Sequence, residues 1–331
     1  MSNTRECDLL IVGGGPAGLS AAINGASEGL RIILMDSGPE LGGQAAKSSL
    51  IENYPGFPEG ASGSDLIGRF IEQAKKFNTL VECPQTAIGL RADGNRRIVT
   101  TDDEEIIAAR MVILSAGLSY RRLAAPGIGH LMGRGVLYGA PTYDPRTMGS
   151  CKICIVGGAN SAGQAAMHLS RNPTASIRLL IRKDLRAQMS TYLVDRIIET
   201  ENIEVCEGVE VIGVDGKQSL ETVTIKKMAD GSEEQIDANH LFIFIGASPK
   251  TMWLNGSVAM DEKKFILTGP ELLDSWKLTE RLPLGFETSM PGVFACGDVR
   301  AGSTKRIASA VGEGSVALQY CHNYSRLPGF E

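Results

Sequence analysis

The chain has 331 residues, 43% of them hydrophobic and 21% charged, with a formal net charge of −5. That is enough apolar material for sizeable cores and enough length for two domains, and the mild acidic balance argues against nucleic acid as the main partner. The seven cysteines are odd in number and scattered, the start (MSNTRECD) lacks a basic flank followed by an apolar run, and no apolar stretch has the length of a membrane span, so a reducing, cytoplasmic setting away from membranes is expected.

Cys7 to Val12 (CDLLIV) predicts a strand, Gly13-Gly14-Gly15-Pro16-Ala17-Gly18 a glycine turn, and Leu19–Glu28 an alanine-rich helix. Strand, G-x-G-x-x-G and helix in that order form a dinucleotide-binding fingerprint. Gly13 permits the tight turn, Gly15 has no Cβ to hold a pyrophosphate off the backbone, and Gly18 lets helix and strand pack closely. The helix N-terminus then offers free N–H groups and a positive dipole end to the phosphates. A second strand, Arg31–Met35, ends in Asp36, the acid about 20 residues on that is expected to bind a ribose hydroxyl.

Gly42-Gly43-Gln44 and the run from Glu52 through Asn53 to Pro58 (ENYPGFP) have loop chemistry that can wrap a flat ring with amide and backbone donors. Ser64–Phe77 has helical spacing, with Ser64 or Asp65 near its N-cap. From Leu80 to Arg110 short β-like runs alternate with turns, which predicts a small antiparallel meander without a site. Met111–Leu114 reads as a buried strand that runs into Ser115, Ala116 and Gly117, small enough for a nucleotide or backbone to approach.

The pattern then repeats. Ile153–Val156 predicts a strand, Gly157-Gly158-Ala159-Asn160-Ser161-Ala162 a turn, and the text to Ser170 an alanine-rich helix. Ala159 replaces the second glycine, so one methyl stands near the expected pyrophosphate. The next strand, Ile177–Ile181, ends in Arg182, Lys183, Asp184, Leu185 and Arg186 rather than in an acid. Three cations there suit a 2′-phosphate, hence NADPH, with NADH as the alternative. Two dinucleotide units in one chain suggest one flavin and one nicotinamide, and hydride transfer to the flavin. Leu241–Ile245 predicts another strand. Gly292 to Asp298 (GVFACGD) gives strand, turn and acid, with Gly297 and Asp298 placed for a ribitol hydroxyl. Lys305, Arg306 and Ile307 open a helical pattern through Gln319, and cations beside the positive end of a helix are unfavourable unless an anion or an electron-rich ring is near.

Taken together, GGGPAG, GGQ, ENYPGFP, GGANSA, GVFACGD and KRIASAVGEG (Lys305–Gly314) resemble the low-molecular-weight thioredoxin reductase family over nearly the full chain. The resemblance implies an α/β fold of two Rossmann-like domains: a discontinuous FAD domain (1–117 and 247–331) with an inserted NADPH domain (118–246), assembled as a homodimer. It implies that Gly13, Gly15, Pro16, Ala17, Gly18, Asp36, Gly43, Gln44, Asn53, Ala116, Gly117, Gly297, Asp298 and Lys305–Ile307 line FAD. Gly157, Asn160, Ser161, Ala162, Arg182, Lys183 and Arg186 line NADPH. The family's cation pattern is one residue longer, which shifts the register at Arg186. No metal ligands are expected.

The resemblance also exposes a departure. The family's redox disulfide lies in a C-A-T-C-D segment before the second glycine turn; at that spacing this chain reads Ala140-Pro141-Thr142-Tyr143-Asp144. Ala140 and Tyr143 take the two cysteine positions, and neither forms a disulfide. Tyr143, expected to lay its ring by the isoalloxazine, and Asp144 are the candidates for the end where electrons leave. Cys151-Lys152-Ile153-Cys154 is literally C-x-x-C, but falls where a strand begins, and residues i and i+3 of a strand point to opposite faces. Cys296 reads as a small buried hydrophobe. Three readings follow: an FAD-dependent NAD(P)H oxidoreductase with an acceptor other than thioredoxin, such as ferredoxin, another small redox protein or a quinone; a disulfide reductase using displaced cysteines; and a flavin- or nucleotide-binding sensor with little turnover.

Overall fold

Two sheets organise the chain, a mixed one and a parallel one, each in one of its two units: Met1–Ser119 with Ser248–Glu331, and Tyr120–Ala247. The computed structural model describes residues 4–48, 51, 53–139, 144–272 and 275–328. None of its helices among those residues is long and apolar enough to cross a membrane.

The first unit opens with β1 (Thr4–Val12), α1 (Pro16–Ser27), β2 (Ile32–Met35), α2 (Gly63–Lys76), β3 (Leu80–Glu82), β4 (Ala87–Asp93), β5 (Arg96–Thr101) and β6 (Ile106–Leu114). The strands lie in the order β3-β2-β1-β6-β5-β4. Alternate residues of β1 feed two cores. Leu9 and Ile11 meet Leu19 of α1, Ile113 and Leu318, while Leu10 and Val12 meet Ile33, Met35, Val112, Leu254 and Ile266. Covered on both faces, the strand reads as one apolar run. Leu9, Leu10 and Ile11 are fully buried, each contributing about 1.5–3 kcal/mol over an exposed side chain. Pro16 at the first helical position starts α1 three residues before the expected Leu19, since its fixed φ and missing N–H suit that place. Ser62, rather than Ser64 or Asp65, caps α2, its Oγ accepting the Asp65 N–H at 3.1 Å.

The antiparallel meander expected between Leu80 and Arg110 is formed by β4, β5 and the start of β6; it extends the main sheet, and β3 lies apart from it, paired parallel with β2. β6 begins at Ile106, five residues before the expected Met111, and its two halves serve different partners. Ile106–Ala109 pair with β5, while Val112–Leu114 pair parallel with a later strand.

After β7 (Leu118–Tyr120) the second unit follows: α3 (Ile128–Leu131), β8 (Val136–Tyr138), β9 (Cys151–Val156), α4 (Asn160–Leu169), β10 (Ala175–Ile181), α5 (Thr191–Ile198), β11 (Ile203–Glu207), β12 (Val209–Asp215), β13 (Thr222–Lys227), β14 (Glu233–Asp237) and β15 (His240–Ile243). Its five-stranded sheet, β11-β10-β9-β15-β8, is parallel throughout, and β12-β13-β14 form an antiparallel sheet. Cys151, Ile153 and Ile155 face a core with Ala162, Ala166 and Leu193 of α4 and α5; Cys154 and Val156 face another with Val211, Val223 and Ile225 of the small sheet. β15 stops at Ile243, two residues short of expectation.

The chain then returns to the first unit with β16 (Ala247–Pro249), β17 (Val293–Ala295) and α6 (Ile307–Ser325). β17 is the strand that pairs with the C-terminal half of β6. Gly314 lets α6 close on α1, because a Cβ there would fall 2.1 Å from the Ala17 carbonyl oxygen. The Ser20 hydroxyl of α1 donates to the Val311 carbonyl of α6 at 2.7 Å.

Candidate functional site

In the first unit the C-terminal ends of β1, β6 and β17 converge on the glycine turn, where open α/β sheets bind ligands. Gly13 sits at φ +114°, and a Cβ on it would meet the Ser115 carbonyl at 2.3 Å; a Cβ on Gly18 would fall 1.9 Å from the Gly13 carbonyl. These two glycines are required by the fold itself. Gly15 is different: a Cβ there would meet nothing within 4 Å, so its missing side chain leaves open space over the turn. Gly15 is also the N-cap of α1, and no side chain caps that helix. Open amides at a helix start, with room above them, are what a pyrophosphate needs.

The neighbouring segments close around this turn. The Gly42 N–H donates to the Gly14 carbonyl at 2.7 Å, Gly43 lies over the Gly15 Cα, and its Cβ position is 3.7 Å away. Gln44 Nε2 reaches the Leu118 carbonyl at 3.5 Å, next to Ala116 and Gly117. The buried Ser115 hydroxyl donates to the Gly13 carbonyl at 2.8 Å. Asp36, half-buried, accepts the Gly14 N–H on Oδ2 at 2.6 Å and the Gly38 N–H on Oδ1 at 2.7 Å. It therefore organises the turn. Asn53 is exposed on a loop that Ile51 and Ala61 close through paired backbone bonds; Glu52 lies outside the described residues.

The acid after β17 is set by residues the sequence did not announce. Glu313 of α6 accepts the Gly297 N–H at 2.7 Å, and it accepts Arg300 Nε and Nη2 at 3.1 and 2.8 Å. Arg300 and Glu313 are both largely buried, a bidentate pair of the strong kind. Lys305 Nζ donates to the carbonyls of Asp298 and Arg300 at 2.8 and 3.3 Å and lies 4.6 Å from the centre of the Phe265 ring. It staples the loop rather than entering the helix: Arg306 is the N-cap and Ile307 the first residue of α6, which runs on to Ser325. Burial raises the Asp298 carboxyl above its usual range, Lys305 opposing the shift and Glu313 adding to it; burial lowers Lys305. The Ser303 hydroxyl is buried with no partner among the described residues. An open amide turn, a partly desolvated acid, an unspent hydroxyl and an uncapped nineteen-residue helix fit an FAD.

In the second unit Gly157 ends β9 at φ +146°, with its Cβ position 2.5 Å from the Phe244 carbonyl. Ala159 is the exposed N-cap of α4, again without a side-chain cap, and is followed by exposed Ser161 and buried Ala162. Asn160 is among the residues expected to line the nucleotide; its side chain is bonded to Ser190, Oδ1 accepting the Ser190 N–H at 2.8 Å and Nδ2 donating to Ser190 Oγ at 2.9 Å. Arg182, Lys183 and Arg186 are all exposed, with Glu210 3.6 Å from Arg182 and Asp195 3.7 Å from Arg186. Asp184 accepts the Arg186 N–H at 2.6 Å, and Glu207 accepts the Leu185 N–H at 2.6 Å. A basic loop held by its backbone, with cations facing solvent, fits a 2′-phosphate.

Of the two candidates for the electron exit, Tyr143 lies outside the described residues, as do Ala140, Pro141 and Thr142. Asp144 is described and works as a turn cap. It accepts the Arg146 N–H at 3.0 Å and holds the Arg146 guanidinium in a fork, which pulls its carboxyl down to about 2. All seven cysteines are free. Burial pushes Cys154 and Cys7 up to about 12 and Cys206 to about 11.

Residues 7–314 match the family model described as pyridine nucleotide-disulphide oxidoreductase. The chain is 32% identical over 326 residues to a thioredoxin reductase of Listeria innocua, covering 98% of this chain and 95% of that one. It is 30% identical to a thioredoxin reductase of Bacillus subtilis, at 98% and 96% coverage. The crystal structure of thioredoxin reductase from Streptococcus pyogenes superposes with a TM-score of 0.82 at 28% identity, covering 97% of this chain and 99% of that one. Proteins of this family use FAD and NADPH. A glycine turn without a side-chain cap follows a central strand in the main sheet of each unit, and this chain, matched from end to end by these relatives, belongs to the pyridine nucleotide-disulphide oxidoreductase family, as an FAD-dependent oxidoreductase of thioredoxin reductase fold.

Proposed function

We propose that the protein passes electrons from NADPH through FAD to an acceptor other than thioredoxin: ferredoxin, another small redox protein or a quinone. FAD would occupy the first unit (Met1–Ser119 and Ser248–Glu331) and NADPH the second (Tyr120–Ala247), in a cytoplasmic homodimer. The observation that carries this reading is the placement of the thiols. Disulfide reduction needs two cysteines that can reach one bond, with Cα atoms about 4.4–6.8 Å apart and Cβ atoms facing each other, and at least one accessible thiolate. The C-x-x-C pair of this chain faces two separate cores, and burial raises both thiols. Ala140 and Tyr143 stand in the sequence where the resembled family carries its pair.

The competing reading, thioredoxin reduction, rests on the names of the relatives. It requires a reactive thiol pair; besides Cys151 and Cys154, the thiols that influence one another, Cys154 with Cys206 and Cys296 with Cys321, are all raised by burial. On the proposed reading Tyr143 places an aromatic ring against the flavin, and Tyr143→Ala raises flavin fluorescence and quickens reduction of small acceptors. The test of function is anaerobic reduction by NADPH followed by a panel of acceptors. Turnover with ferredoxin or quinone and background rates with thioredoxin are expected; brisk thioredoxin reduction contradicts the proposal, and a flavin that NADPH does not bleach favours a sensor.

A further inference from the structure

The second glycine turn and the basic loop are separate in sequence and joined in space by one side chain. Asn160 is the first residue of α4, directly after the turn, and Ser190 is the N-cap of α5, at the far end of the segment that carries Arg182, Lys183 and Arg186. Both polar groups of the Asn160 side chain are spent on Ser190, Oδ1 on its N–H at 2.8 Å and Nδ2 on its Oγ at 2.9 Å. The docking continues one turn further along α4. A Cβ on Gly163 would lie 2.7 Å from Met189 Sδ and 2.8 Å from Leu193 Cδ2, so the missing side chain lets the end of the basic loop settle on the helix. Leu185 and Met189 are buried, while the cations between and before them remain exposed. The loop backbone is thus fixed at Asn160, at Glu207 and at the Asp184 cap, and its cations are carried on that frame.

We propose that Asn160 is a positioning residue for nicotinamide selectivity. It sets the distance between the helix N-terminus, which serves the pyrophosphate of either nicotinamide, and the cations that serve only a 2′-phosphate. This inference rests on the assignment of Arg182, Lys183 and Arg186 to that phosphate. A residue touching the pyrophosphate would affect NADP⁺ and NAD⁺ alike; a residue acting through the loop affects NADP⁺ alone.

The experiment is calorimetric titration of the FAD-loaded protein with NADP⁺ and with NAD⁺, without turnover, on the parent, Asn160→Ala, Ser190→Ala, the double variant and Arg186→Ala. Asn160→Ala is expected to weaken NADP⁺ roughly tenfold and NAD⁺ less than about twofold. Ser190→Ala, which keeps the N–H bond to Asn160, has a smaller effect in the same direction. The double variant is no worse than Asn160→Ala, because the two side chains act as a unit. Equal losses for both nucleotides, no loss for either, or additive losses in the double variant overturn the proposal while the basic-loop assignment stands, provided Arg186→Ala lowers the NADP⁺ to NAD⁺ ratio. If Arg186→Ala leaves that ratio unchanged, the assignment fails and the proposal falls with it.

Discussion

Cys151 and Cys154 lie three residues apart on β9 and their side chains enter different cores, Cys151 under α4 and α5 and Cys154 under the small antiparallel sheet. The sheet stands between the two thiols, and both are held above their ordinary range by burial. Neither is poised to attack a disulfide, since the thiolate is the nucleophile. Native protein at pH 7.5 is therefore expected to show no fast-reacting thiol from this pair. Cys151→Ser and Cys154→Ser should leave the fast phase of a disulfide-reagent assay unchanged. A fast equivalent lost in either variant would show that the strand opens and the pair is accessible.

The first glycine turn separates fold from ligand. A methyl at Gly18 would collide with the Gly13 carbonyl, and a methyl at Gly15 would meet open space. Gly18→Ala is expected to cost about 1–3 kcal/mol of apoprotein stability through overpacking. Gly15→Ala should leave the apoprotein melt unchanged and weaken FAD at least roughly tenfold, about 1.4 kcal/mol. Thermal melts of stripped protein and fluorescence titration with FAD read the two effects separately; a Gly15→Ala variant that binds FAD normally would place the pyrophosphate elsewhere.

On the proposed function the basic loop after β10 carries the nicotinamide preference. Arg182→Ala with Arg186→Ala should erode the kcat/KM advantage of NADPH over NADH. Each lost charged contact is worth about 1.5–3 kcal/mol in the 2′-phosphate complex. Steady-state kinetics with both nucleotides and a dye acceptor check this; equal kcat/KM values in the parent protein would remove the basis of the assignment.

His240 supplies a pH dependence. Its Nδ1 is buried without a partner among the described residues, its ring stacks on Phe242 with centroids 5.9 Å apart, and burial lowers its pKa below the ordinary 6.5. The unfolded chain then binds the proton more readily than the folded one. Stability is accordingly full above about pH 6.5 and falls as pH drops through that value toward the lowered folded pKa. His240→Phe should flatten that acid-side slope and add roughly 1 kcal/mol by removing the unsatisfied nitrogen. Urea melts at pH 5.5 and pH 8 test it, and an unchanged slope would assign the acid sensitivity to other groups.

Much of this architecture could be read from the residues because the decisive signals are local. CDLLIV followed by GGGPAG names a strand and a turn within twelve residues, and Ile153–Val156 with GGANSA does the same again. What escaped was set by partners distant in sequence. β6 looked short because Ala108, Ala109 and Arg110 interrupt its apolar text, yet its first half is held by β5. Glu313 lies inside the KRIASAVGEG run, where no role was read for it, and it reaches Gly297 sixteen residues away; an acid in the second turn of the helix after a glycine–aspartate turn was the available hint. Asn160 sat inside a recognised motif, which suggested a ligand, but its bonds to Ser190 depend on a loop thirty residues on.

On the proposed function the flavin takes up two electrons and no thiol pair takes up more, and anaerobic reductive titration measures this most directly. With dithionite or NADPH followed at the flavin absorbance, two electrons per FAD are expected, with the same stoichiometry in Cys154→Ser. Uptake of four electrons per FAD, falling to two in Cys154→Ser, would contradict the account and install a working disulfide in β9.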